Sequence, residues 1–298
     1  MDFKTLLQQN SDIAFIVGNG INRYPNNPES ISWEELLMQL WQKFSPDAYG
    51  GVPRGITSTE FYDLLELAAG DDLPSNAIQK QVAALLQQWT YKEHHKAFIL
   101  KAHAMDAPVL TTNFDLNLPA VLPLRQLYNN TRTFTDYYPW NTYYSDREPA
   151  APSSGFGLWY INGFVKYHRS LRLGLSHYMG AVGKARNYLY KGEGRLFGGK
   201  SHWAGYHTWL DIIFHKPLCI FGLGLEENEV FIRWLLIERA KYFKKYPDRY
   251  KKGWYVSPKS ESPDDLTIGK YRFLKGIGIE LVEVDGYDAI YKGPWGNR

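Results

Sequence analysis

Asp12-Ile-Ala-Phe-Ile-Val17 runs straight into Gly18-Asn-Gly-Ile-Asn22, and this junction constrains the chain more than any other stretch. The run is apolar after its first residue. It is long enough for a strand buried on both faces and too short for a buried helix, which points to an inner strand of a parallel sheet. The two glycines that follow describe a turn whose missing Cβ atoms let backbone N–H groups approach a ligand closely. Ligands of open α/β sheets bind outside the carboxyl ends of the strands, so a nucleotide is expected at this turn.

Further strands are expected over Ala107–Thr112, Leu158–Ile161, Leu218–Phe221, Trp254–Val256 and Glu280–Val284. Between the first two lie helices rather than a tight βαβ unit. Ser32-Trp-Glu-Glu35 and Thr57-Ser-Thr-Glu60 are capping boxes, and Trp33, Leu36, Leu37, Leu40, Trp41 and Phe44 follow at helical spacing. A helical insertion is therefore read at about 32–104. A loop-rich cover is read at about 123–157, anchored by tyrosines and tryptophan, and later helices near 203–214, 226–245 and 264–275. His94 and His95, being adjacent, are read as surface residues. The fold class is α/β, a doubly wound, Rossmann-like parallel sheet carried by one domain over residues 1–298.

Composition narrows the function. A net charge of +3 is too small to argue for nucleic acid by electrostatics alone. The basic, tyrosine-rich stretch 241–252 reads as a solvated helix end, against a rival reading as a nucleic-acid scaffold that would use Lys244, Lys245, Lys251 and Lys252. One cysteine, Cys219, allows neither an internal disulfide nor a multi-cysteine zinc site, and no metal-ligand spacing occurs, so no metal is expected. The N-terminus lacks a basic region followed by an apolar one, and no apolar run reaches the ~18 residues of a membrane helix. These features predict a soluble, cytoplasmic protein with no membrane partner.

Three strand ends carry the chemistry: Gly18-Asn-Gly-Ile-Asn22, Thr112-Asn-Phe-Asp115 and Gly222-Leu-Gly-Leu-Glu226. Alone, each also reads as a plain turn or helix cap. In order, each after a buried strand and together with the Ser-Trp-Glu-Glu-Leu-Leu helix, they resemble the sirtuin-like family, in particular the bacterial NAD hydrolases of antiphage defence. The resemblance spans roughly residues 10–285. It implies that Gly18, Asn19, Gly20 and Asn22 cradle the pyrophosphate of NAD, that Gly222 and Gly224 approach the adenosine half, and that Glu226 caps the turn or contacts ribose. Asn113 would order the ribose and the attacking water, and Asp115 would hold the nicotinamide carboxamide. The acid that dehydrogenases carry about 20 residues after the glycine turn is missing, because that region is helical.

The chain departs from the family at Asn162-Gly163, where a His-Gly pair is implied and an amide stands instead. An amide accepts no proton at neutral pH. Three readings follow: a slow enzyme, a nucleotide-binding pseudoenzyme, or an inactivated form of an active parent. A second alignment makes His168, followed by Arg169, the base. The implied reaction is hydrolysis of the nicotinamide glycosidic bond to nicotinamide and ADP-ribose, serving antiphage defence by NAD depletion. A single cysteine excludes the four-cysteine zinc module of the deacetylases. A free-running NADase would poison its cell, which motivates control by a partner protein or by homo-oligomerisation, testable by copurification from native cells. The rival reading is a non-catalytic module that binds NAD or ADP-ribose and signals through a partner.

Overall fold

The computed structural model describes residues 2–45, 47, 49–70, 73–129, 137–199 and 202–296. The expected first strand forms over Ala14–Val17 (β1), with all four residues buried, as an inner strand demands. Its neighbours are β2 (Val109–Thr111) and β6 (Leu218–Phe221), both parallel to it, with Phe15 registered against Val109 on one side and Cys219 on the other. Outward from β2 come β5 (Leu158–Tyr160), β4 (Thr142–Ser145) and β3 (Arg125–Tyr128); outward from β6 come β7 (Gly253–Pro258) and β8 (Glu280–Val284). The eight strands lie in the order β3-β4-β5-β2-β1-β6-β7-β8.

The sheet is mixed rather than wholly parallel. β3 pairs antiparallel with β4, and β4 antiparallel with β5. Both strands fall inside the stretch read as a loop-rich cover at 123–157, of which 130–136 lie outside the described residues. The pattern hid β4 because Thr-Tyr-Tyr-Ser is buried at every position, so it shows no polar alternation, and its tyrosines sit among turn formers. Tyr143 stacks on Trp159 of β5 at 4.4 Å between ring centroids. The remaining six strands, taken in chain order among themselves, stand in the spatial order 3-2-1-4-5-6, compatible with a Rossmann-like fold.

Alternate residues of the inner strands feed two cores. Ala14, Ile16, Leu110, Leu218 and Ile220 pack towards α7 (Leu175–Tyr190), α8 (Leu210–His215), α9 (Val230–Lys245) and α10 (Asp265–Gly276). Phe15, Val17, Val109, Cys219 and Phe221 pack towards α1 (Phe3–Gln9), α6 (Glu93–Ala104), α11 (Asp288–Tyr291) and Trp295. The short α2 (Gly20–Arg23) follows the glycine turn. A third core belongs to α3 (Trp33–Phe44), α4 (Ser58–Ala68) and α5 (Ala77–Leu86), which close on Val165, Leu171 and Leu173. Both expected capping boxes form, at Ser32–Glu35 and Thr57–Glu60. The insertion with its own core is thus 33–86, shorter than 32–104. The helix at 93–104 belongs to the sheet, where it covers β1 as a crossover to β2.

Two helix limits also differ. The segment read as helical from 203 turns without forming a helix until Leu210, and the helix read from Glu226 begins at Val230. The stretch 170–174 joins no strand. No helix of the described residues is long and apolar enough to cross a membrane.

Candidate functional site

The strand order reverses between β1 and β6, and the crevice at such a switch point opens beyond the carboxyl ends of the strands. Hydrogen bonds lace those ends together in spatial order. Asn162 Nδ2 donates to Thr112 O at 3.3 Å, Asn113 Nδ2 to Gly18 O at 3.4 Å, and Gly20 N to Gly222 O at 2.8 Å. The three motifs that lie 90 or more residues apart in the chain therefore meet along one line. Above them is a cleft of about 670 Å³, within the ~300–1,000 Å³ usual for small-molecule sites. The insertion roofs it through Trp33, Glu34, Leu36, Thr59 and Leu86, joined by Trp89 just beyond its last helix.

Each residue singled out from sequence has a definite place. Asn19, Gly20, Asn113, Asp115, Asn162, Gly222, Gly224 and Glu226 line the cleft. Gly18 and Asn22 lie beneath its lining. Gly18 and Gly222 allow the two turns to touch, since a Cβ on Gly18 would stand 2.5 Å from Gly222 O. The backbone amides of Gly18, Gly20, Ile21, Asn22 and Arg23 are all spent on backbone carbonyls. A phosphate at this turn would rely on Asn19 and the Arg23 side chain rather than on those amides. His168 sits in the 3-10 segment Val165–Ser170, outside the residues lining the cleft. Gly163 is explained locally: its φ is +87°, and a Cβ there would stand 2.1 Å from Ser170 O.

The floor of the cleft is polar and buried. Asn113 is 6% exposed; its Oδ1 has no hydrogen-bond partner among the described residues, while its backbone N–H binds Thr111 Oγ1 at 3.1 Å. Asp115 is 3% exposed. Its Oδ2 accepts from Asn22 Nδ2 at 2.7 Å and its Oδ1 from the Asn117 N–H at 2.9 Å, an Asx turn, and burial pushes its pKa upward. Asn162 holds its backbone carbonyl on the Arg172 N–H at 2.9 Å. At the far end, Glu229 is pushed up to about 7 by burial and then by the charge of Glu226, whose N–H it accepts at 3.2 Å. Leu225, which joins the lining residues Gly224 and Glu226, has φ +48°, an uncommon backbone state for a bulky residue, so the backbone is strained there.

Sequence reading missed the cleft's aromatic walls. Trp33 and Phe114 lie 6.2 Å apart near Asn113, and Tyr287 stacks on Tyr291, whose hydroxyl lies against the Gly20 and Gly222 turns. Cations are few: Arg23 and Lys270 line the cleft, as do Glu34, Asp115, Glu226 and Glu229. No histidine is among its described lining residues, and these contain no group of His, Cys, Asp and Glu side chains able to hold a metal ion. Part of the basic stretch 241–252 is tied down, while Lys244 and Lys252 are exposed. Tyr242 is buried, Lys241 meets Glu238 at 2.8 Å, and the Lys245 ammonium donates to Phe197 O.

His94 and His95 are buried rather than exposed, at 8% and 0%. Adjacent helical residues are ~100° apart, and α6 buries an arc wide enough for both. His94 Nε2 meets Ile21 O at 2.7 Å, and His95 meets Asn22. Burial, then the neighbouring His94, drives the pKa of His95 from 6.5 to about 3. The unfolded chain thus binds a proton near pH 6.5 that the folded chain refuses until about 3, so acidification favours unfolding by about 1.4 kcal/mol per pH unit in that window. In His95→Gln, urea unfolding measured from pH 6 to 4 is expected to lose stability less steeply by about that slope. Equal slopes would mean that His95 is charged in the folded protein.

No protein-family model matches the chain, and no curated protein matches it.

Proposed function

We propose that the chain is an NAD hydrolase of the sirtuin-like kind, cleaving the bond between nicotinamide and ribose. The observation that carries this reading is the buried, unpartnered Oδ1 of Asn113 on the floor of a cleft at the switch point. Departure of nicotinamide leaves an oxocarbenium-like sugar, and a fixed acceptor beside it can orient a ribose hydroxyl or the attacking water. Asp115 keeps lone pairs free beyond its bonds to Asn22 and Asn117, enough to accept from a carboxamide N–H. The aromatic rings of Trp33, Phe114, Tyr287 and Tyr291 on the cleft lining suit a ligand that carries planar rings. Depletion of NAD in antiphage defence, under control of a partner or of self-assembly, is the biological setting this chemistry suits.

The second reading, a nucleotide-binding module without turnover, is favoured by one observation: Asn162 stands at the strand end where a base is implied, and its amide is engaged with Thr112 O. Incubating the protein and its Asn162→His form with NAD, with nicotinamide and ADP-ribose followed by chromatography, separates the two. Asn162→His is expected to raise nicotinamide release at least tenfold, within the ~10²–10⁴-fold reach of a positioned base. Binding of NAD without turnover in either form would favour the module.

A further inference from the structure

The cleft floor is held from below by a side chain that none of the sequence motifs contains. His95 lies on α6, behind the glycine turn, at 0% exposure. The Lys92 backbone N–H donates to its Nδ1 at 3.0 Å, so the proton of the neutral ring sits on Nε2. Nε2–H donates to Asn22 Oδ1 at 2.9 Å, and Asn117 Nδ2 donates to the same oxygen at 3.1 Å. With two donors on Oδ1, the Asn22 amide has one orientation open to it. Its NH2 group then points at Asp115 Oδ2, at 2.7 Å, and at Asn19 Oδ1, at 3.1 Å. Asn19 in turn donates to Ile31 O at the edge of the insertion, 3.2 Å away.

We propose that His95 is the positioning residue of the cleft floor: through Asn22 it fixes Asp115 as an acceptor aimed at the nicotinamide end of the ligand. This rests on the nucleotide reading given above. Without the His95 donor, Asn117 Nδ2 alone holds Asn22 Oδ1, and the amide whose NH2 group is aimed at Asp115 is less firmly set. Asp115 has no cation to hold it, since no described ion pair includes it, so its geometry depends on neutral donors alone. A chain of side chains 73 and 93 residues apart in sequence thereby sets the Asp115 carboxylate.

Two substitutions divide the ring's duties. His95→Asn keeps an acceptor for the Lys92 N–H but stops short of Asn22, whereas His95→Gln places an amide donor near the Nε2 position. Affinities for NAD and for ADP-ribose, which lacks nicotinamide, are measured by calorimetry on the full chain and both variants. His95→Asn is expected to weaken NAD about tenfold while ADP-ribose changes by less than about twofold, and His95→Gln to return NAD affinity to within about threefold of the parent. A loss of structure alone would weaken both ligands together, and that result, or an unchanged NAD affinity, overturns the positioning role while leaving the nucleotide reading in place. If the parent binds neither ligand, the nucleotide reading falls. Hydrogen exchange of the Asn22 side-chain amide then decides the network by itself: slow in the parent and His95→Gln and at least tenfold faster in His95→Asn supports it, and equal rates overturn it.

Discussion

Replacing Asn113 by alanine is expected to lower nicotinamide release about 10²–10³-fold, in the parent and in the Asn162→His background alike, while leaving thermal stability unchanged or slightly raised. The two halves of this expectation have one cause. A buried acceptor without a partner costs about 1–3 kcal/mol, so deleting it removes a penalty from the folded state. The amide's remaining bond, 3.4 Å to Gly18 O, is long and contributes little. A group that weakens the fold yet sits on the floor of a cleft is understandable if its free oxygen meets a ligand. Nicotinamide chromatography and a melting curve on the same preparations check both halves. Turnover surviving in Asn113→Ala would move the reactive centre elsewhere, and a marked fall in melting temperature would make Asn113 an ordinary helix-cap residue.

What could be read from sequence follows from how local each signal is. The strand–glycine junction at 12–22, the capping box at Ser32 and the Asn-Phe-Asp run after β2 each lie within a few residues, and all stand at the site. β4 escaped because a strand buried on both faces has no alternation to detect, and its aromatic content resembled an anchored loop. His95 carried a usable signal, since His95, Phe98, Ile99 and Ala102 recur at helical spacing and are all buried. Adjacency to His94 masks that spacing, because two neighbouring histidines suggest an exposed pair. The Asn22 network was beyond reach. Its partners are separated by 73 to 95 residues, and the pairing of polar side chains at such distances depends on the register of β1 against β2.

The glycines illustrate how one motif can answer to a different physical demand. The sequence suggests that Gly18 clears room for a phosphate, yet a Cβ on Gly18 meets protein: Gly222 O at 2.5 Å and Leu223 Cα at 2.7 Å, both backbone atoms with no rotamer to yield. The β1 and β6 turns would have to part, breaking the Gly20 N to Gly222 O bond and shifting the floor beneath the cleft. Gly18→Ala is therefore expected to cost about 3 kcal/mol of stability, at the upper end for an overpacked site, and to weaken NAD at least tenfold. Gly183, exposed inside α7 with nothing near its would-be Cβ, supplies the opposite case: alanine there is expected to stabilise by about 0.5–1 kcal/mol and leave NAD affinity unchanged. Urea unfolding and calorimetry on the two variants read both effects. If Gly18→Ala matches the parent in stability and in affinity, the two turns are not pressed together in solution, and the convergence of strand ends that defines the cleft loses its support.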